Sequence, residues 1–313
     1  MNKKIYLILI VLIFITGCVL NEVKIDSYAV EEGDINVYFC PDDNCSSILV
    51  DFVDSGSVDC AFYDLELDEV IEALNRSNVR LVMDHSNYIE FNFSRKNKES
   101  TWGLMHNKFC VKSDKVITGS FNPTYNGNYK NNNNLIVIQS KLLADNYKRE
   151  FEEMWNGKFG GGDKVGTPVV DIGFKIENYF CPEDDCALEI VNELNNAKES
   201  IYFMTFSFTH DNIANALVLA HNNSVEVKGI FEKSGVSKYS KHDFLEFQGI
   251  NYTFDSNKGK MHHKVFIIDE KIVITGSMNP SGSGDERNDE NILIIHSEEI
   301  ASLFLNEFEK IYK

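Results

Sequence analysis

Two stretches of the sequence carry the same chemically competent side chains in the same order. His106 and Lys108 are followed by Gly119, Ser120 and Asn122, and His262 and Lys264 by Gly276, Ser277 and Asn279. In an extended chain residues i and i+2 face the same way, so each histidine shares a space with its lysine, and each serine with its asparagine. Gly119 and Gly276 are expected to let the backbone approach a ligand where a Cβ would intrude. An imidazole, an ammonium, a hydroxyl and an amide together suit an oxyanion, and two such sets suit one anion held between them. A phosphodiester fits, because its reaction places charge on the equatorial oxygens and is accelerated mainly by positioning and electrostatic stabilisation. One histidine can attack phosphorus while the other protonates the leaving oxygen, and the roles reverse when water arrives. No H-E-x-x-H, carboxylate cluster or zinc signature competes with this chemistry, so neither a metal nor a cofactor is expected.

His262, Lys264, Asp269, Gly276, Ser277 and Asn279 follow the pattern H-x-K, D, G-S-x-N without a gap. That pattern resembles the signature of the phospholipase D superfamily. The resemblance implies an α/β fold of two duplicated α/β/α sandwich lobes related by a pseudo-twofold axis, the fold of that family's phospholipases and nucleases. It also implies one active site at the interface of the lobes, a phosphohistidine intermediate and no cofactor. Glu290 falls where members similar to the family's small bacterial endonuclease place an acid that hydrogen-bonds a catalytic histidine. The first copy departs from the pattern in two places. One residue is missing between His106 and Gly119, so Ser113 or Lys112 takes the place of Asp269 and Asp114 comes one step late. Asn133 stands where the second copy has Glu290. An amide orients an imidazole but does not stabilise an imidazolium as a carboxylate does. These differences point to His262 as the nucleophile and His106 as the acid, with a reach of Glu290 across the interface as the alternative.

The elements that must position these groups are repeated too. "VYFCPDDNC" matches "NYFCPEDDC", "VRLVMD" matches "VEVKGIFE", and "NNLIVIQS" matches "ENILIIHS", always in the same order. The period is about 140 to 157 residues, domain-sized and far above that of stacked repeats. Strands at 58–62, 79–83, 201–206 and 225–231 alternate with helices at 68–74, 142–155, 211–220 and 298–312, the pattern of α/β units. Asp68 and Asp211 are read as helix N-caps. The halves are expected at residues 24–157 and 173–313, joined by a glycine-rich surface linker at 158–172. Cys40 with Cys45, and Cys181 with Cys186, occupy matching places and are expected to form two local disulfides. Cys60 and Cys110 replace Phe203 and Phe266 of the second half; they are expected to be neighbours, with a third disulfide preferred over two buried thiols.

The first residues combine Lys3 and Lys4, an apolar run from Ile5 to Ile15, and "ITGC" ending at Cys18. This is the order of an export signal, and "ITGC" resembles the lipobox of prokaryotic lipoproteins, which implies removal of residues 1–17 and lipidation of Cys18. The alternative is an uncleaved anchor, for which the apolar run is short. Either way the body is expected outside the cytoplasm, on the outer face of the cell membrane. The net charge of −18 disfavours broad electrostatic binding of nucleic acid. The expected partner is therefore a phospholipid, with nucleic acid as the alternative substrate and a monomer holding both half-sites. A surface lipoprotein that binds phosphorylated polymers or lipids without turnover is the alternative from another class. "FSRKNKEST" (93–101) is read as a solvated basic loop beside the first motif. Tyr125 and Trp102 are read as cleft or core aromatics. His85, His210, His221, His242, His263 and His296 have no motif context and are read as structural or surface residues.

Overall fold

Short runs rich in Val, Ile, Phe and Tyr become strands, and runs with apolar residues three and four apart become helices. The computed structural model describes residues 28–88, 94–97 and 103–312. The export signal, Cys18, Trp102 and most of the 93–101 segment lie outside the described residues. The first half contributes β1 (Tyr28–Val30), β2 (Asp34–Cys40), α1 (Cys45–Val53), β3 (Ser57–Phe62), α2 (Asp68–Asn75) and β4 (Asn78–Met83). It continues with β5 (Ser94–Asn97), β6 (Lys108–Lys112), β7 (Lys115–Gly119), α3 (Tyr125–Tyr129), β8 (Asn133–Gln139) and α4 (Lys141–Trp155). The second half contributes β9 (Val169–Asp171), β10 (Lys175–Cys181), α5 (Cys186–Asn196), β11 (Ser200–Thr205), α6 (Asp211–Asn222) and β12 (Glu226–Phe231). It ends with α7 (His242–Phe247), β13 (Asn251–Phe254), β14 (Lys264–Ile268), β15 (Ile272–Gly276), α8 (Gly282–Glu286), β16 (Glu290–His296) and α9 (Glu298–Ile311).

The strands form two sheets with the same order. One runs β2-β8-β7-β6-β3-β4-β5, and the other β10-β16-β15-β14-β11-β12-β13, extended at its β10 edge by β9 and β1. The duplication therefore survives strand for strand. Two expectations need correction at the edges. The end of the 158–172 linker is no surface tether: Val169 and Val170 are buried, and β9 pairs antiparallel with β10 and parallel with β1. Through β1, the first half lends a strand to the second sheet. Residues 94–97, read as part of a solvated loop, form an edge strand parallel to β4.

Helix α4 buries Leu143, Tyr147, Phe151 and Met154 at helical spacing, and α9 buries Ile300, Phe304, Phe308 and Ile311 in the same way. Both stripes belong to one apolar cluster with Phe109 and Ile136 of the first sheet and Val265 and Leu293 of the second. The halves thus share a core, and each fully buried side chain of this size contributes roughly 1.5–3 kcal/mol. Helices α1 and α2 cover the outer face of the first sheet, and α5 and α6 that of the second, giving each lobe its α/β/α layering. Ser140 and Ser297 cap α4 and α9, accepting from Leu143 N (3.1 Å) and Ile300 N (3.3 Å). Asp68 and Asp211 are not caps: Leu67 and His210 hold that place, and the acids fall in the first turn, where the helix dipole still favours them.

All six cysteines of the body are paired, Cys40 with Cys45, Cys181 with Cys186 and Cys60 with Cys110. Cys60 and Cys110 stand opposite one another on β3 and β6, in the register that Phe203 and Phe266 occupy on β11 and β14.

Candidate active site

The two motifs approach the site from just before their strands. Strands β6 and β14 begin at Lys108 and Lys264, so His106 and His262 lie in the run-in and not, as expected, within the strand. Each run-in is fixed by the opposite half. His106 N donates to Asp289 O (2.9 Å) and Asp289 N to Leu104 O (2.8 Å); His262 N donates to Asn132 O (2.8 Å) and Asn132 N to Lys260 O (2.9 Å). A carboxylate holds the residue before each histidine: Met105 N donates to Asp84, and Met261 N to Glu232, both at 2.8 Å. Asp84 and Glu232 were not singled out in the sequence, although "VRLVMD" and "VEVKGIFE" both end in an acid.

The residues beside β8 and β16 that pair with these run-ins lead directly into the histidine partners. Glu290 Oε2 lies 2.7 Å from His106 Nδ1, and Asn133 Oδ1 lies 2.9 Å from His262 Nδ1. Both contacts cross between halves, so the alternative geometry holds, and Glu290 supports His106 and not His262. Both nitrogens face acceptors, His262 Nδ1 also meeting Ser120 O at 3.1 Å. The ring proton is thereby drawn to Nδ1, and Nε2 is left for chemistry. Ser277 Oγ donates to Glu290 (2.6 Å) and Ser120 Oγ to Asn133 (3.2 Å). Both serines are fully buried, so they fasten the histidine partners and are not hydroxyls offered to an anion.

The lysines are held alike. Lys108 Nζ donates to His106 O (2.6 Å) and lies over the Tyr63 ring, 5.3 Å from its centroid. Lys264 Nζ donates to His262 O (2.7 Å) and lies 5.3 Å over Phe206. The same two rings meet the histidines edge-on, Tyr63 against His106 at 4.7 Å and Phe206 against His262 at 4.9 Å. Tyr63 and Phe206 were also missed, because a single aromatic after a strand carries no signal of its own.

Four cationic or potentially cationic groups converge here, and their proton affinities register it. Burial pushes the Lys108 ammonium down to about 7, against the opposing pull of Glu290, Asp64 and Asp84. Burial, then Lys108, holds Lys264 well below its ordinary value. Burial also lowers His106, which Glu290 partly counteracts, and drives His262 well down with the help of Lys264, Lys108 and His106. Asn122 and Asn279 follow in the motif: each has a buried amide oxygen without a hydrogen-bond partner among the described residues. An amide in that state can turn its NH2 toward a phosphate oxygen.

The glycines have a role other than the one expected, and Asp269 has a supporting one. A Cβ on Gly119 or Gly276, with φ of +140° and +150°, would overlap the carbonyl of Asn134 or Asn291, so these glycines serve backbone packing between neighbouring strands. Asp269 lies outside the site, accepting from Lys198, Glu199 and Ser200 N (2.7–3.0 Å) and so securing the start of β11. The residue missing from the first copy is lost from the β6–β7 hairpin. Ser113 there has φ 56°, the left-handed conformation of Asp269. Tyr125 is exposed and belongs to neither cleft nor core.

Behind the histidines a buried polar layer joins the lobes. Asn291 Nδ2 donates to Asn107 Oδ1 (2.7 Å), while Thr118 and Tyr147 donate to Asn291 Oδ1 (3.0 and 3.1 Å). The counterpart is Asn134, whose amide meets His263 Nδ1 at 3.2 Å and accepts from Thr275 at 3.1 Å. His263 is thus structural, as expected, and so are His210 and His296, which pair with Asp285 (3.3 Å) and Glu177 (2.8 Å). The sequence showed no carboxylate cluster, yet the fold gathers Glu150, Glu153 and Glu183, and separately Glu177, Glu193 and His296. Burial and neighbouring carboxylates raise Glu150, and burial raises Glu183 to about 7.

A family model described as cardiolipin synthase, PLD-like domain, matches residues 29–155 and 190–312. The chain belongs to the phospholipase D superfamily. It carries two copies of that superfamily's repeat, and the paired histidines and lysines sit where the copies meet. Phospholipase D of Rickettsia conorii is 36% identical over 132 residues, covering 42% of this chain and 66% of that protein. The human mitochondrial cardiolipin hydrolase is 32% identical over 134 residues, 42% of this chain and 53% of that protein. The chain therefore spans only part of the length of these relatives. The solved structure of phosphatidylserine synthase from Haemophilus influenzae has a TM-score of 0.67 at 11% identity, covering 88% of this chain and 85% of that one, which shows a shared two-lobed fold.

Proposed function

We propose that this phospholipase D superfamily member is a phosphodiesterase that hydrolyses phospholipids through a phosphohistidine, acting as a monomer on the outer face of a cell membrane. One observation carries the activity: two His-Lys pairs close on one space between the halves, each histidine backed by a residue of the other half. A buried space lined by ammonium groups is costly to leave bare, and a phosphate anion offsets that cost.

In this reading His106 is the nucleophile. Glu290 holds the Nδ1 proton and balances the positive charge of the ring while Nε2 is bonded to phosphorus. The P–N bond forms as the P–O bond to the headgroup breaks, and His262 gives its proton to the departing oxygen. Water then attacks phosphorus, passing a proton to His262, and the P–N bond breaks to free His106 and release phosphatidate. The charge of the incoming phosphate is what makes a protonated His262 accessible despite its burial. Lys108, Lys264, Asn122 and Asn279 stabilise the non-bridging oxygens. The roles are the reverse of those expected from sequence, because that expectation left Glu290 in its own half.

The relatives named phospholipase D and cardiolipin hydrolase support a lipid substrate. The lipobox-like "ITGC" supports tethering at Cys18, and the three disulfides support an oxidising compartment. Headgroup release from liposomes and cleavage of single-stranded DNA, compared in excess EDTA, form the test. The expected outcome is EDTA-resistant lipid hydrolysis that exceeds DNA cleavage and disappears in His106→Asn. Faster DNA cleavage would assign nucleic acid, and lipid binding without turnover would assign a binding module. In cells, Cys18→Ala should move the protein from the membrane to the soluble fraction.

A further inference from the structure

The rim of the site on the His262 side is basic. On the His262 side a cleft of about 400 Å³ opens between the halves, lined by Lys130 and Asn126 of the first half and by Lys258, Lys260, Glu232 and Ser234 of the second. None of its three lysines takes part in an ion pair among the described residues. The one carboxylate in the lining is occupied elsewhere, since Glu232 accepts from Ser234 N (2.7 Å) and Met261 N (2.8 Å). In a chain of net charge −18, this cleft gathers three ammonium groups against one carboxylate.

The cleft adjoins the reacting groups. Lys260 Nζ lies 5.5 Å over the Phe206 ring, the ring that Lys264 covers from 5.3 Å and that meets His262 at 4.9 Å. In the sequence of the first copy, Leu104 matches Lys260. Arg287, the counterpart of Lys130, donates to Ser283 Oγ.

We propose that Lys130, Lys258 and Lys260 form a second anion subsite, which takes a phosphate in the leaving group of the substrate, one bridging unit from the scissile phosphorus. The inference rests on the phosphodiesterase reading, in which His262 protonates the leaving oxygen and the leaving group therefore lies on its side. Every side chain named in the cleft lining is polar, which suits a phosphorylated headgroup and not an acyl chain. The subsite ranks leaving groups and leaves the chemical step to the histidines.

Two measurements test it. Inorganic phosphate titrated calorimetrically should bind at two sites per chain in the wild type and at one in Lys258→Gln/Lys260→Gln. One site in both would overturn the subsite while leaving the catalytic reading intact, and no site in either would overturn both. For turnover, glycerophosphoglycerol is compared with its analogue carrying a second glycerophosphate on the leaving glycerol. The wild type should prefer the second by about tenfold in kcat/KM, the worth of one well-made charged contact, and the double variant should lose that preference while still cleaving the first. Equal rates in the wild type would overturn the subsite. A preference found only between dinucleotides with and without a terminal phosphate would keep the subsite and overturn the headgroup as its source.

Discussion

Glu290 and His106 belong to opposite halves of the chain, yet their side chains meet at 2.7 Å in the interior, while His262 meets the Asn133 amide and the Ser120 carbonyl in place of a carboxylate. The crossing follows from the strand-like pairing of Met105 with Asp289 and of Asn132 with Met261, which sets each histidine one residue from its partner in the other half. A single carboxylate thus breaks the equivalence of two otherwise matched histidines.

If His106 is the nucleophile, its covalent intermediate should survive when the acid is removed. His262→Asn, mixed with a diester of p-nitrophenol, should release one equivalent of phenol and retain the phosphoryl group on His106, because such a leaving group needs no proton. Mass spectrometry of the quenched protein checks this, and a label on His262 in the converse His106→Asn variant would reverse the roles. Glu290→Gln should lower kcat by about 100-fold or more, the scale of lost acid–base assistance, whereas Asn133→Asp should be far milder.

The depressed proton affinity of the cationic groups gives a stability prediction with a definite sign. Lys108 titrates at about 7 in the folded chain and near its ordinary value of 10.5 when unfolded. Between those values the unfolded state binds more protons, so stability rises with pH across that window; below it the cost of burying the ammonium is fully present. Lys108→Met should therefore stabilise the ligand-free protein near pH 7 by on the order of a few kcal/mol while abolishing activity. Urea unfolding at pH 6.5, 8 and 9.5 checks it; a gain that does not shrink with rising pH would exclude this origin.

Phosphate binding should reverse the same shifts. An anion beside Lys108, Lys264, His106 and His262 favours their charged forms, so binding at pH 8 should take up protons. Calorimetric titration of phosphate in buffers of differing ionisation enthalpy measures that uptake, and it should fall in Lys108→Met.

Much of this site was legible before any fold was known. His106, Lys108, His262, Lys264, Asn122 and Asn279 were identifiable because duplication repeated them in register, and the disulfide partners because Cys60 and Cys110 replace Phe203 and Phe266 together. What escaped depends on which strands neighbour one another. Ser120 and Ser277 look like ligands of an anion until the adjoining strand brings Asn133 and Glu290 over them. Gly119 and Gly276 look like space for substrate until Asn134 and Asn291 are seen to fill it. Sequence spacing reports which residues share a face, and it is silent about which half supplies the residue opposite.

The buried layer that joins the lobes gives a further test. Asn291 satisfies Asn107, Thr118 and Tyr147 at once. Asn291→Leu would strand three buried polar groups, and each costs about 1–3 kcal/mol when left without a partner. Loss of stability by at least about 3 kcal/mol in urea unfolding is expected, with the histidines less well placed and kcat reduced. A neutral effect would mean that water replaces the amide.

The disulfides should differ in worth according to the chain they enclose. Cys60 and Cys110 are separated by 50 residues, against 5 for each of the other pairs. Loop-closure entropy makes the long bridge worth about 4 kcal/mol and each short one about 2. The second half manages the same register without a bridge, filling it with Phe203 and Phe266, whose rings lie 6.1 Å apart. Cys60→Val/Cys110→Val should therefore fold, with a stability loss in urea about twice that of Cys181→Ala/Cys186→Ala. Near-equal losses would show that the unfolded chain already holds β3 close to β6, so that closing the longer loop adds little.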